Sequence, residues 1–115
     1  MNHEESKIQA GIVQLLNGVD DVYLVMVKND GVKTQAQAMR DKAQGLRKGA
    51  SDVFVMLSGG RVLFWEIKTA TGRLSASQVA FQRIAESMGF EYSIIRSVDD
   101  AKKCLEYHGI IVDNK

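Results

Sequence analysis

Residues 52–68 read Asp-Val-Phe-Val-Met-Leu-Ser-Gly-Gly-Arg-Val-Leu-Phe-Trp-Glu-Ile-Lys, two apolar runs on either side of Ser58-Gly59-Gly60. Runs rich in Val, Phe and Trp around a glycine turn predict the two strands of a hairpin. The second run closes on Glu66-Ile67-Lys68. Side chains alternate along a strand, so Glu66 and Lys68 share a face. Burying an unpaired charge costs several kcal/mol, so charges that end a core strand on one side call for partners there. Asp52, which opens the first run, reaches the same face only in one phase of the hairpin. A three-residue loop with Leu57 opposite Arg61 sets Asp52 opposite Glu66. A two-residue Gly59-Gly60 turn with Ser58 opposite Arg61 turns Asp52 to the other face, unless a bulge restores the phase. An odd loop or a bulge is therefore expected.

Two acids and a lysine meeting at one end of a hairpin match the needs of phosphodiester hydrolysis, which requires an activated water, neutralised phosphoryl oxygens and a stabilised leaving alkoxide. Mg²⁺ or Mn²⁺ can serve all three. Asp52 and Glu66 offer the hard oxygens these ions prefer, and the Ile67 backbone carbonyl lies between Glu66 and Lys68 where it can complete the set. Lys68 then positions or deprotonates the water, or neutralises charge on the phosphoryl group. The bland alternative is a Lys68–Glu66 salt bridge at a strand end, and the upstream Asp52 argues against it.

Outward from the hairpin, the pattern predicts an amphipathic helix over 4–17 with apolar positions Ile8, Ile12, Leu15 and Leu16, then a strand from Val22 to Val27. Residues 34–44, rich in Ala and Gln without a clean stripe, are assigned to a helix. Leu74 to Val79 reads as a hydrophobic staple around a capping box, Ser75 as N-cap and Gln78 at N3, opening a helix that Gly89 ends. Tyr92 to Ile95 is a strand, and Ser97-Val98-Asp99-Asp100 caps a last helix to about Tyr107. The order αβ(α)ββαβα, over 115 residues, is expected to form one α/β domain with a four-stranded sheet spanning residues 1–115.

With 45% hydrophobic and 25% charged residues, the composition is that of a globular protein, and no stretch approaches the length of a membrane span. A cytoplasmic protein without membrane or organic cofactor is expected, in a bacterial or phage-infected cell. Cys104 is the single cysteine and reads as a small buried hydrophobe in the last helix. Neither histidine is read as lying near another good ligand, which leaves a finger-type zinc site without support.

The net charge is +1, unevenly spread. Lys28, Lys33, Arg40, Lys42, Arg47 and Lys48 oppose only Asp30 and Asp41 within residues 28–48. A solvated helix face is the ordinary reading of such a run. Its place just before Asp52 supports another, a DNA backbone held against repulsion from the site's own carboxylates. Asn29 belongs to the same segment, as a ligand-orienting residue or a plain turn residue. Arg73 and Ser75 precede a helix N-terminus, which suits a phosphate. Glu5 falls within the apolar stripe of the first helix. It is either a buried acid needing a partner or an exposed first-turn carboxylate favoured by the helix dipole.

Gly49-Ala50-Ser51-Asp52, Glu66-Ile67-Lys68-Thr69, Gly72-Arg73-Leu74-Ser75, Gln78 and Gly89-Phe90 together resemble the VRR-NUC branch of the PD-(D/E)XK nucleases. The resemblance runs from Glu5 to about Leu105, with Ser51 standing where the family usually has proline. It implies a restriction-endonuclease-like core, a four-stranded mixed sheet flanked by helices. It also implies Asp52, Glu66 and Lys68 as catalytic residues, Glu5 as a further metal ligand, and Gln78 near the site holding a water or phosphate. Short members of the family resemble Holliday-junction resolvases, which implies branched DNA as substrate and a homodimer, whose two sites match a junction's two-fold symmetry. Flap, single-strand or sequence-specific targeting is the alternative, and a DNA-binding module without catalysis the third reading.

Overall fold

The structure is a computed structural model that describes residues 3–27, 34–44 and 49–112. Of the basic segment, Lys28, Asn29, Lys33, Arg47 and Lys48 lie outside the described residues. The elements follow the expected order: α1 (His3–Leu16), β1 (Val22–Met26), α2 (Gln35–Ala43), β2 (Val53–Leu57), β3 (Arg61–Ile67), α3 (Ala76–Ser87), β4 (Glu91–Ile95) and α4 (Val98–Tyr107).

The hairpin takes the odd loop. Leu57 pairs with Arg61 and Val53 with Trp65, leaving Ser58-Gly59-Gly60 as the loop. Gly59 at φ 86° and Gly60 at φ 75° occupy the left-handed region that residues with a Cβ avoid. The sheet order is β1-β2-β3-β4. β2 runs antiparallel to both β1 and β3, and β4 runs parallel to β3 with Glu66 beside Ile94. The sheet is therefore mixed.

The strands' alternation divides the protein into two faces. On one, Val53, Val55, Leu57, Leu63, Trp65, Ile67 and Ile95 form a core with Ile12 of α1 and Ala101 and Leu105 of α4. Each fully buried aliphatic side chain there contributes about 1.5–3 kcal/mol. α1 packs against α4 and β3 along the expected Ile8–Ile12–Leu16 stripe. The other face is aromatic. Phe64 makes edge contacts with Phe54, Phe81 and Phe90 at ring-centroid distances of 5.0, 5.6 and 5.1 Å, and Phe81 also meets Tyr92, which seats α3 over β3 and β4.

Local signals hold the starts of α2, α3 and α4. Ser75 caps α3 through the expected box with Gln78, and Ser97 Oγ accepts from Asp100 N–H at 3.1 Å to open α4. A second reciprocal pair, Thr34 with Gln37, opens α2. The α2 side chains described are all exposed, in keeping with the missing apolar stripe.

Candidate functional site

β2 and β3 separate at Asp52, and the candidate site lies in that fork. The Asp52 carbonyl oxygen accepts from Val27 N–H at 2.8 Å, continuing the ladder toward β1. On its other side the ladder ends. The N–H of Ile67 donates instead to Asp52 Oδ2 at 3.2 Å, so a carboxylate occupies the place of a strand carbonyl. Continuing the register one step past Val53–Trp65 puts Asp52 opposite Glu66, on the face that α3 covers. The Lys68 N–H bonds to Ile95 O at 3.0 Å, which holds the end of β3 against β4.

Glu66 is 1% exposed. Its Oε2 accepts a bond from Gln78 Nε2 at 3.2 Å, whereas its Oε1 is buried without a hydrogen-bond partner. Burial first, then the Asp52 carboxyl group beside it, pushes the Glu66 pKa up to about 9, against a smaller opposing pull from Lys68. A carboxylate in this position is stable only with added positive charge, and the orphaned Oε1 marks where that charge fits. The pair suits a hard divalent cation.

Gln78 resolves its two sequence readings by satisfying both. Its Oε1 accepts from Ser75 N–H at 2.8 Å as the capping box requires, and its Nε2 reaches Glu66. Ser75 Oγ returns the cap by accepting from Gln78 N–H at 3.2 Å. Gly49, at φ 84°, lies so close to α3 that a Cβ there would stand 2.3 Å from Ser77 O. The segment leading to Asp52 is thus pressed against the helix N-terminus that carries Gln78.

Lys68 is half-buried beside Glu66, and Arg73 and Ser75 are exposed before α3. Arg40 and Lys42 are exposed on α2. Glu5 is half-buried in the first turn of α1. Its carboxylate does not join those of Asp52 and Glu66 in a set whose oxygens all lie within 4.8 Å of one another.

Three features escape sequence reasoning. Tyr92 brings a buried, unpartnered hydroxyl toward the site, its ionisation driven upward by burial and then by the Glu66 and Asp52 charges. Arg96 holds the loop after Lys68 by its carbonyls, with Nη1 donating to Thr69 O at 2.6 Å and Gly72 O at 2.7 Å. Backbone acceptors leave no sequence signal for such a contact. The reading of the histidines needs correction. His108 stands one helical turn after Cys104, and with Glu91 the two form a set whose ligand atoms lie within 4.8 Å of one another. The i, i+4 spacing was the available signal.

No family model matches the chain, and no curated protein matches it. Among solved structures it is similar to a chain named "VRR_NUC domain", with a TM-score of 0.68 and 17% identity over 93% of this chain and 99% of that one. It is also similar to a "VRR_NUC domain protein", with a TM-score of 0.70 and 13% identity over 93% of this chain and 88% of the other. At these identities the likeness shows the fold: the restriction-endonuclease-like α/β core of those domains.

Proposed function

We propose that this chain is a VRR-NUC nuclease, a divalent-metal-dependent DNA endonuclease that hydrolyses phosphodiester bonds in the fork between β2 and β3. The observation that carries the reading is the Asp52–Glu66 pair, with a buried Glu66 oxygen lacking any partner. Structural kinship with VRR_NUC domains supports it. Asp52, Glu66 and the Ile67 carbonyl would hold Mg²⁺ or Mn²⁺, whereas the Glu5 carboxylate, which does not share their set, is left out of the coordination. Bound there, such an ion would supply Lewis acidity at the phosphoryl oxygens and a lowered pKa for water.

The chain's own residues do the rest. Asp52 is oriented by the Ile67 N–H and Glu66 by the Gln78 amide, so neither carboxylate has to be ordered when substrate arrives. Lys68, on the strand face of Glu66, offers an ammonium that can take or give a proton at the attacking water or neutralise charge on the phosphoryl group. Arg73 and Ser75, at the N-terminus of α3, and the basic residues of 28–48 hold the DNA backbone. In this reading the substrate is branched DNA, cut by a homodimer whose two sites match the two strands of a four-way junction.

The test is a panel of labelled four-way junctions, flaps, duplexes and single strands incubated with Mg²⁺ or Mn²⁺. Cleavage is expected, strongest on four-way junctions, abolished by chelator and by Lys68→Ala. Cutting of flaps alone would move the targeting and leave the chemistry standing. Binding without cleavage of any substrate would reduce the chain to a DNA-binding module.

A further inference from the structure

A second cluster of ligating side chains lies away from the Asp52–Glu66 pair. Glu91 opens β4 beside Leu63 of β3, and its position in the strand places it on the face packed by α4. Glu66 pairs with Ile94, three residues further along β4 and on the opposite face. About 10 Å of strand therefore separates the two places, besides the thickness of the sheet. Cys104 and His108 come from one side of the last turn of α4, and His108 Nε2 lies 2.5 Å from Glu91 Oε2. The His108 side chain is 17% exposed and that of Glu91 41%, so the cluster borders on solvent.

We propose that Glu91, Cys104 and His108 bind a Zn²⁺ ion that clamps the end of α4 to the start of β4. A thiolate, an imidazole and a carboxylate are the three side-chain types that zinc takes, and one sulfur and one nitrogen ligand disfavour Mg²⁺ and Ca²⁺. Tetrahedral zinc sets its ligand atoms about 3.5 Å apart. A set already within 4.8 Å needs side-chain adjustment alone, chiefly an opening of the His108–Glu91 contact by about 1 Å. Burial pushes the Cys104 thiol up, against a partial lowering by the Trp65 indole and the Ser93 hydroxyl, so a bound cation is what would ionise it. The Trp65 indole N–H is fully buried without a hydrogen-bond partner, and it faces the Cys104 sulfur together with the Ser93 hydroxyl. Donors aimed at a ligand sulfur are what second-layer support of a zinc thiolate consists of. Arg61, the neighbouring cation, is held on the His108 carbonyl at 3.1 Å. Coordination releases the Cys104 proton to solvent and leaves a fourth position open on the exposed side.

The experiment uses the reduced full-length chain carrying Glu66→Gln, which weakens the hard-oxygen site, and titrates it with Co²⁺ followed by Zn²⁺. One equivalent of Co²⁺ should bind with a thiolate-to-cobalt charge-transfer band that Zn²⁺ abolishes, and Zn²⁺ should raise the melting temperature. Cys104→Ser should remove the band, and His108→Ala and Glu91→Gln should each weaken binding by roughly tenfold or more. Glu91→Gln alters a partly exposed side chain, so the test survives if a core variant fails to fold. Absence of the band in the parent protein, or a band of unchanged affinity in both His108→Ala and Glu91→Gln, overturns the site.

Discussion

Gln78 Nε2 donates to Glu66 Oε2 at 3.2 Å while the other end of the same amide caps α3. A single side chain thus couples the start of a helix to the most deeply buried carboxylate among the described residues. The coupling can be dissected by two variants. Ser75→Ala removes the cap hydroxyl and spares the Glu66 contact, so it should cost about 1 kcal/mol of stability with Mn²⁺ affinity retained. Gln78→Ala should cost a similar amount and also change Mn²⁺ affinity, because Glu66 loses its orienting donor. Calorimetry showing the same Mn²⁺ affinity in both variants would contradict the coupling.

Stability without metal should depend on pH through Glu66. Below its ordinary value of 4.5, folded and unfolded chains both keep the proton. Between 4.5 and about 9 the unfolded chain releases it and the folded chain retains it. The unfolded state then binds fewer protons, so metal-free stability falls as pH rises through that window. Glu66→Gln should flatten the fall, gaining ~2 kcal/mol or more over the parent at pH 8 relative to pH 5. Saturating Mn²⁺ should reverse it in the parent alone. Urea unfolding of chelator-treated protein at a series of pH values is the measurement, and equal slopes in parent and variant would sink the argument.

Lys68→Ala should lose turnover by orders of magnitude while binding DNA and Mn²⁺ as before, since its contribution belongs to the transition state. Arg40→Ala on α2 should do the reverse, weakening DNA binding and reducing its salt dependence with little change in the chemical step. Equal loss of binding in both would remove the distinction.

Gly49→Ala should destabilise the fold by ~2 kcal/mol or more, because a Cβ would meet the Ser77 backbone at 2.3 Å and the residue would keep a strained positive φ. The damage should extend to the site, since Gly49 and Gln78 meet at the same helix end. A thermal melt within a degree of the parent would show that the contact yields freely.

Periodicity and capping signals carried the element order, because those signals depend on neighbours a few residues apart; the sequence left an odd loop or a bulge open at the hairpin, and the Leu57–Arg61 register chose the odd loop. The same local rules identified Ser75 and Gln78 as a capping box. Whether that amide also touches Glu66 depends on how α3 crosses the sheet, and only the packing of Phe64 against Phe81 and Phe90 decided it. Tertiary structure alone joined Arg96 to the loop at Thr69–Gly72, since a backbone carbonyl looks alike at every residue. It likewise brought Glu91 to Cys104 and His108. The last two announce themselves by helical spacing, but the third ligand comes from a strand whose position is set by its parallel pairing with β3.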